Sequence, residues 1–143
     1  MSSKPPFFAQ ERSDTCMLAC LRMILAYRGQ DITEQELAAR ADLADGLDPE
    51  QLAVLVRQFG LEAESVQIDL ESIAELVSRR RFPVVLIDRT FIDREFAIHA
   101  VVPIRLSKHF VTVLDPLRGE RRIALARFRK AHERVGGWAV VWK

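Results

Sequence analysis

Two thiols, Cys16 and Cys20, stand four residues apart at the head of a long apolar run. A thiol attacks as its thiolate, and a helix N-terminus favours the thiolate through its unpaired N–H groups and its dipole. Ser13, Asp14 and Thr15 are good N-cap residues. Cys16 therefore falls in the first turn of the helix they open, where that effect is largest, and Cys20 one turn further in, where it has faded. Electrostatics ranks Cys16 above Cys20 as a nucleophile. The plainer alternative is that both are buried apolar filler, as most free cysteines are.

A thiol hydrolase also needs a base, a group to orient it and an oxyanion donor. The chain has three histidines. His99 lies among apolar neighbours in the β-rich run Ala97-Ile98-His99-Ala100-Val101-Val102, and a histidine held in a sheet has the defined direction a base requires. His109 starts the next strand and reads as a strand-end polar residue, and His132, on a charged helix, reads as solvated. Asp115 follows the strand from His109 to Leu114, at the mouth of the turn Asp115-Pro116-Leu117-Arg118-Gly119. Asp-Pro is also ordinary turn chemistry. A hairpin, however, sets the end of its second strand beside the start of its first, so Asp115 can lie beside His99 and fix its tautomer. Gln10, six residues before Cys16, can aim its amide N–H at an oxyanion beside the backbone N–H of Cys16. Each of these residues has a structural alternative, and their weight lies in the joint pattern.

The positioning elements are legible from periodicity. Cys16 to Tyr27 is a nearly all-apolar helix, hence central, with Gly29 just past its last turn. Thr33 with Glu36 forms a capping-box pattern before a second helix carrying Leu37, Ala38 and Ala41. Asp48-Pro49 opens a third, striped by Leu52, Leu55, Val56 and Phe59 and ended by Gly60. Val66 and Ile68 alternate as in a short strand, and Leu70 to Arg80 reads as a fourth helix. After Pro83 the pattern changes to strands. Val84 to Ile87 reads as a buried strand, and Phe96 to Ile104 with His109 to Leu114 as a hairpin. Arg121 to Ala124, a helix from Leu125 to Arg134 and a strand from Trp138 to Trp142 follow. The expected fold class is α+β, a helical front half packed on an antiparallel sheet.

The 143 residues amount to one domain's worth, 1–143. With 49% hydrophobic and 29% charged residues, the chain is neither disordered nor membrane-embedded in composition. A net charge of +1 supplies no field to draw in nucleic acid or anionic lipid. The local basic runs, Arg79-Arg80-Arg81, Arg118 to Arg122 and Arg127 to Lys130, read as solvated helix ends and turns. No apolar run approaches the roughly 20 residues of a membrane span, so direct membrane insertion is not expected. Nor does the N-terminus offer the apolar stretch of a signal peptide. A cytoplasmic location with free thiols is the expectation. Two thiols without matching ligands are too few for a structural zinc site, and neither metal nor cofactor is expected.

Gln10-x5-Cys16 and the helix Ala19-Cys20-Leu21-Arg22-Met23-Ile24 resemble the N-terminus of the peptidase C39 family of bacteriocin-processing, papain-like cysteine peptidases. The similarity continues through Tyr27-Arg28-Gly29 to Leu37, Pro83-Val84-Val85-Leu86, His99-Ala100-Val101-Val102 and Asp115-Pro116, with late aromatics at Phe128 and Trp138. The resemblance implies Cys16 as nucleophile, His99 as base, Asp115 as its orienting carboxylate and Gln10 in the oxyanion hole. It also implies a leader-peptide substrate cut after a double glycine, in a family usually fused to an ABC transporter. Where that family has aspartate before the nucleophile and glycine after it, this chain has Thr15 and Met17. The side chain of Met17 alters how closely a substrate backbone approaches the thiol. With no membrane or ATPase portion, the chain is either an excised domain or, the favoured expectation, a stand-alone protein that works with a separate ABC-type exporter. Two alternatives stay open: a non-catalytic C39-like substrate-docking module of a peptide export system, and a different thiol hydrolase on the same scaffold.

Overall fold

The computed structural model describes residues 3–41 and 47–143. Its first helix, α1 (Cys16–Tyr27), buries eight of its twelve residues, as its composition requires. The Thr15 side chain does not cap this helix. Its hydroxyl instead donates to the Arg12 carbonyl (3.0 Å) and accepts from the Arg12 N–H (3.1 Å), closing the turn that precedes Cys16. The helix ends at Gly29, whose φ of 88° suits a residue without a Cβ.

Helix α2 (Glu34–Arg40) starts on Thr33, whose hydroxyl accepts the Glu36 N–H at 3.1 Å. The Glu36 carboxylate meets that same hydroxyl at 3.2 Å. A complete reciprocal box forms instead at α3 (Pro49–Arg57), between Asp48 and Gln51 (2.7 and 2.9 Å). Strand β1 (Ala63–Gln67) and helix α4 (Leu70–Ser78) follow. Helix α4 stops two residues before the expected Arg80, because Arg80 itself takes a left-handed φ of 57°.

The second half adds β2 (Val84–Asp88), a short helix α5 (Thr90–Asp93), β3 (Ile98–Leu106), β4 (Phe110–Asp115), β5 (Gly119–Ala124), α6 (Leu125–Arg134) and β6 (Trp138–Trp142). Helix α5 carries no periodic signal at four residues, so the sequence reads through it. Together with β1 the strands form a six-stranded antiparallel sheet in the order β1-β6-β2-β3-β4-β5. The last strand is thus inserted between the first two, and β1, from the helical half of the chain, becomes one edge.

Both faces of the sheet are covered. Helices α1, α2 and α3 pack on one face with Val84, Ala100, Val102, Leu114, Val140 and Trp142. On the other, α4 and α6 bury Ile73, Phe128 and Ala131 against Val85, Ile87, Val101, Val111 and Val113. The alternating parity of β2, β3 and β4 feeds one residue to each core in turn. The helices are therefore divided between two layers rather than gathered on one.

His132 is a correction to the sequence expectation. It is buried, not solvated, with Nδ1 2.9 Å from the Leu86 carbonyl and Nε2 2.9 Å from the Ile68 carbonyl. Its ring stacks on Phe128, so it joins α6 to β2 and to the turn after β1. A single amphipathic stripe places Phe128, Ala131 and His132 inward together, which the surrounding charges obscure in the sequence.

Phe82 is fully buried and meets the Tyr27 ring edge-on, with centroids 5.2 Å apart. Phe82→Ala should cost about 3–5 kcal/mol of stability, read as a lowered urea midpoint with an unchanged slope.

Candidate active site

The antiparallel register of β3 and β4 pairs Val102 with Leu114. Continued one step, it sets Val101 beside Asp115, with His99 two residues on and on the same side of the sheet. His99 Nε2 is 2.7 Å from Asp115 Oδ1. Both groups are buried, His99 to 4% exposure and Asp115 to 1%. The Asp115 carboxylate also accepts the Leu117 N–H on Oδ1 (2.9 Å) and Arg121 Nη1 on Oδ2 (3.4 Å). The Asp-Pro turn is thus both turn and carboxylate anchor.

With Nε2 taken by Asp115, Nδ1 is the ring nitrogen left for the thiol. Cys16, in the first turn of α1, interacts with the His99 ring. Burial favours the neutral ring, but the hydrogen bonds and charges of Asp115 and Cys16 outweigh it and raise His99 from 6.5 to about 9. Asp115 is shifted the other way. Burial pushes its carboxyl up, but the His99 bond and charge, the Leu117 N–H and the Arg121 charge hold it below the usual range. Cys20 is fully buried, and desolvation first, then Cys16 and Asp115, drives its thiol well above the ordinary value. Cys16, by contrast, is only partly buried.

Gln10 reaches this neighbourhood through its backbone. Its N–H donates to the Pro116 carbonyl at 3.1 Å, tying the N-terminal strap to the end of β4. The Glu34 carboxylate accepts the next N–H, that of Glu11, through both oxygens at 3.2 Å. The Gln10 side-chain Nε2 donates to the Arg12 carbonyl at 2.7 Å, and its Oε1 is buried without a partner. The structure thus brings Cys16, His99 and Asp115 together, while the Gln10 amide is engaged within its own strap.

Cys16, Met17 and His99 line one cavity of about 370 Å³. It shares Asp48, Pro49, Leu86 and Ile98 with a wider groove of about 530 Å³, walled further by Phe96 and Trp138. Phe96 is 90% exposed and Ile98 68%, large apolar side chains in open water beside the thiol.

One of the basic runs expected to be solvated is not so throughout. Arg121 is not a solvated turn residue. It grips Asp93 through two contacts (Nη2–Oδ1 2.9 Å, Nη1–Oδ2 3.3 Å) and reaches Asp115 behind the histidine. Asp93 in turn meets Arg89 Nε at 3.2 Å, and Arg89 meets Glu95 at 3.0 Å. The alternation of β5 holds the only available signal, since Arg121 pairs in register with buried Val113.

A helix N-terminus that presents a cysteine to a sheet-borne histidine and aspartate, with helices on both faces of an antiparallel sheet, defines the papain-like cysteine peptidase fold. The sequence matches the Peptidase C39 family over residues 4–136, and the chain belongs to that family. Solved structures share its fold, among them the following three. A C39-like protein from Bacillus anthracis is 20% identical, with a TM-score of 0.82, covering 99% of this chain and 95% of that one. A double-glycine-motif protease of an AMS/PCAT transporter, solved with its leader peptide, is 18% identical with a TM-score of 0.77, covering 99% and 92%. The peptidase domain of Streptococcus ComA, a bifunctional ABC transporter of a quorum-sensing pathway, is 15% identical with a TM-score of 0.74, covering 99% and 98%. No curated protein matches the chain in sequence.

The raised His99 makes a pH signature. A group raised on folding stabilises fully below its unfolded value, and that contribution is lost as pH rises through the folded one. Wild-type stability should therefore fall between 6.5 and about 9, and His99→Ala should flatten that slope. Urea midpoints across the range, with the ring followed by NMR, check this.

Proposed function

We propose that the chain is a cysteine peptidase using Cys16 as nucleophile, His99 as acid and base, Asp115 as orienting carboxylate and Gln10 as oxyanion donor. The observation that carries this is the buried 2.7 Å contact from His99 Nε2 to Asp115 Oδ1, which leaves the opposite ring nitrogen for the thiol. At neutral pH a ring raised to about 9 is an imidazolium, ready to pair with a thiolate.

The thiolate sulfur bonds to the scissile carbonyl carbon, and the carbonyl electrons move onto its oxygen. The Cys16 N–H, at the first turn of α1, stabilises that oxyanion. An amide NH2 carries two hydrogens, so Gln10 Nε2 can keep its bond to the Arg12 carbonyl and offer the second to the oxyanion. As the oxyanion collapses, the C–N bond breaks and His99 gives its Nδ1 proton to the leaving amine. Water then attacks the thioester, and His99 accepts its proton. The second tetrahedral state releases the carboxylic acid and the thiolate. Asp115 keeps the ring in one tautomer throughout.

The substrate class is a peptide with an apolar segment on one side of the cut. The open groove of Phe96, Ile98 and Trp138 beside the thiol suits such a segment. Family membership favours the leader of an exported, bacteriocin-like peptide, and similarity to transporter peptidase domains favours an ABC-type exporter as partner. Met17, in the wall of the thiol cavity, narrows the space a double-glycine substrate would use. Among the described residues no helix is long and apolar enough to cross a membrane.

Limiting iodoacetamide at mildly acidic pH should label Cys16 rapidly and Cys20 hardly at all, with the preference lost in His99→Ala. A peptide library should be cut by wild type and left intact by Cys16→Ala. Capture of peptides without cleavage, alongside equally slow labelling of both thiols, would instead make the chain a docking module.

A further inference from the structure

We infer that Arg121 is a positioning residue for the reaction, holding the Asp115 carboxylate in the one orientation that serves His99; the inference rests on the proposed roles of Cys16, His99 and Asp115. A carboxylate has two oxygens and turns freely unless both are engaged. In Asp115, Oδ1 takes both His99 and the Leu117 N–H, so the hydrogen bonds that define the turn leave Oδ2 untouched. Among the described residues, Oδ2 is met by Arg121 Nη1. At 1% exposure, bulk water does not replace it.

Arg121 is itself fixed from behind. Its two contacts to Asp93 use both terminal nitrogens, and Nη1 is shared between Asp93 and Asp115. The planar guanidinium fork is what allows one side chain to bridge two carboxylates at once, and an ammonium has no equivalent geometry. Asp93 is further held by Arg89, whose own N–H closes on the Ala97 carbonyl at 2.9 Å. Arg121 therefore spans from β5 to the α5 connection and presents a fixed positive charge to the face of Asp115 opposite His99. Two consequences follow. Asp115 stays ionised while buried, and its Oδ1 stays aimed at the ring.

The readout is the His99 Nε2–H resonance, which exists only while that bond to Asp115 is intact. On acidification wild type should keep the resonance until Asp115 protonates. Arg121→Met should lose it at a pH higher by about one unit, the low end for removal of one nearby cation because the contact is long. Arg121→Lys should fall between the two, restoring charge without the fork. Asp93→Asn, which loosens Arg121 without touching Asp115, should shift the loss in the same direction and serves if Arg121→Met does not fold. A wild-type and Arg121→Met resonance lost at the same pH overturns the inference, as does full rescue by Arg121→Lys. Failure of the underlying mechanism reads differently: wild type itself would lack the resonance, or label Cys16 without dependence on His99.

Discussion

Everything at the candidate site hangs on a charged pair taken out of water. His99 and Asp115 are both nearly inaccessible, and an ion in such a place is costly unless its hydrogen-bonding positions are filled. The fold fills them from three directions. The β3–β4 register supplies the partner, the Asp-Pro turn supplies the Leu117 N–H, and β5 supplies Arg121. The opposed shifts of His99 and Asp115 express the same fact, each group stabilising the charged form of the other.

The remaining pieces are arranged around that pair. Helix α1 is apolar on nearly every side because it lies between the sheet and α2 and α3, which lets its first turn carry Cys16 up to the start of β3. The strap before it is pinned to β4 by Gln10 and to α2 by Glu34 through Glu11. The carboxylate turn and the strap that carries Gln10 are thus joined directly, by the Gln10 N–H on the Pro116 carbonyl. On the far face, His132 bridges β2 and the end of β1, making α6 part of the support under Leu86, which lines both cavity and groove.

Much of this was legible in the residues. An apolar helix with a thiol at its head, a histidine flanked by apolar strand residues and an aspartate at the close of the next strand require only local periodicity and hairpin geometry. Caps at Thr33 and Asp48 and the stop at Gly29 belong to the same local chemistry. Less visible were features whose partners are distant. Arg121 and Asp93 are 28 residues apart, and His132 lies 46 residues from Leu86 and 64 from Ile68. In isolation each looks like an ordinary polar surface residue.

The sequence by itself determined which residue types are available for chemistry and which elements carry them, because capping, periodicity and turn preference act over a few neighbours. Tertiary structure alone decided that β6 enters between β1 and β2, that the helices divide between two faces, and that Arg121 and His132 turn inward. It also decided that Cys20 is wholly buried in the packed core, which pushes its thiol up, while Cys16 stays partly exposed. Burial is a property of the assembled layers, and no short stretch of chain encodes it.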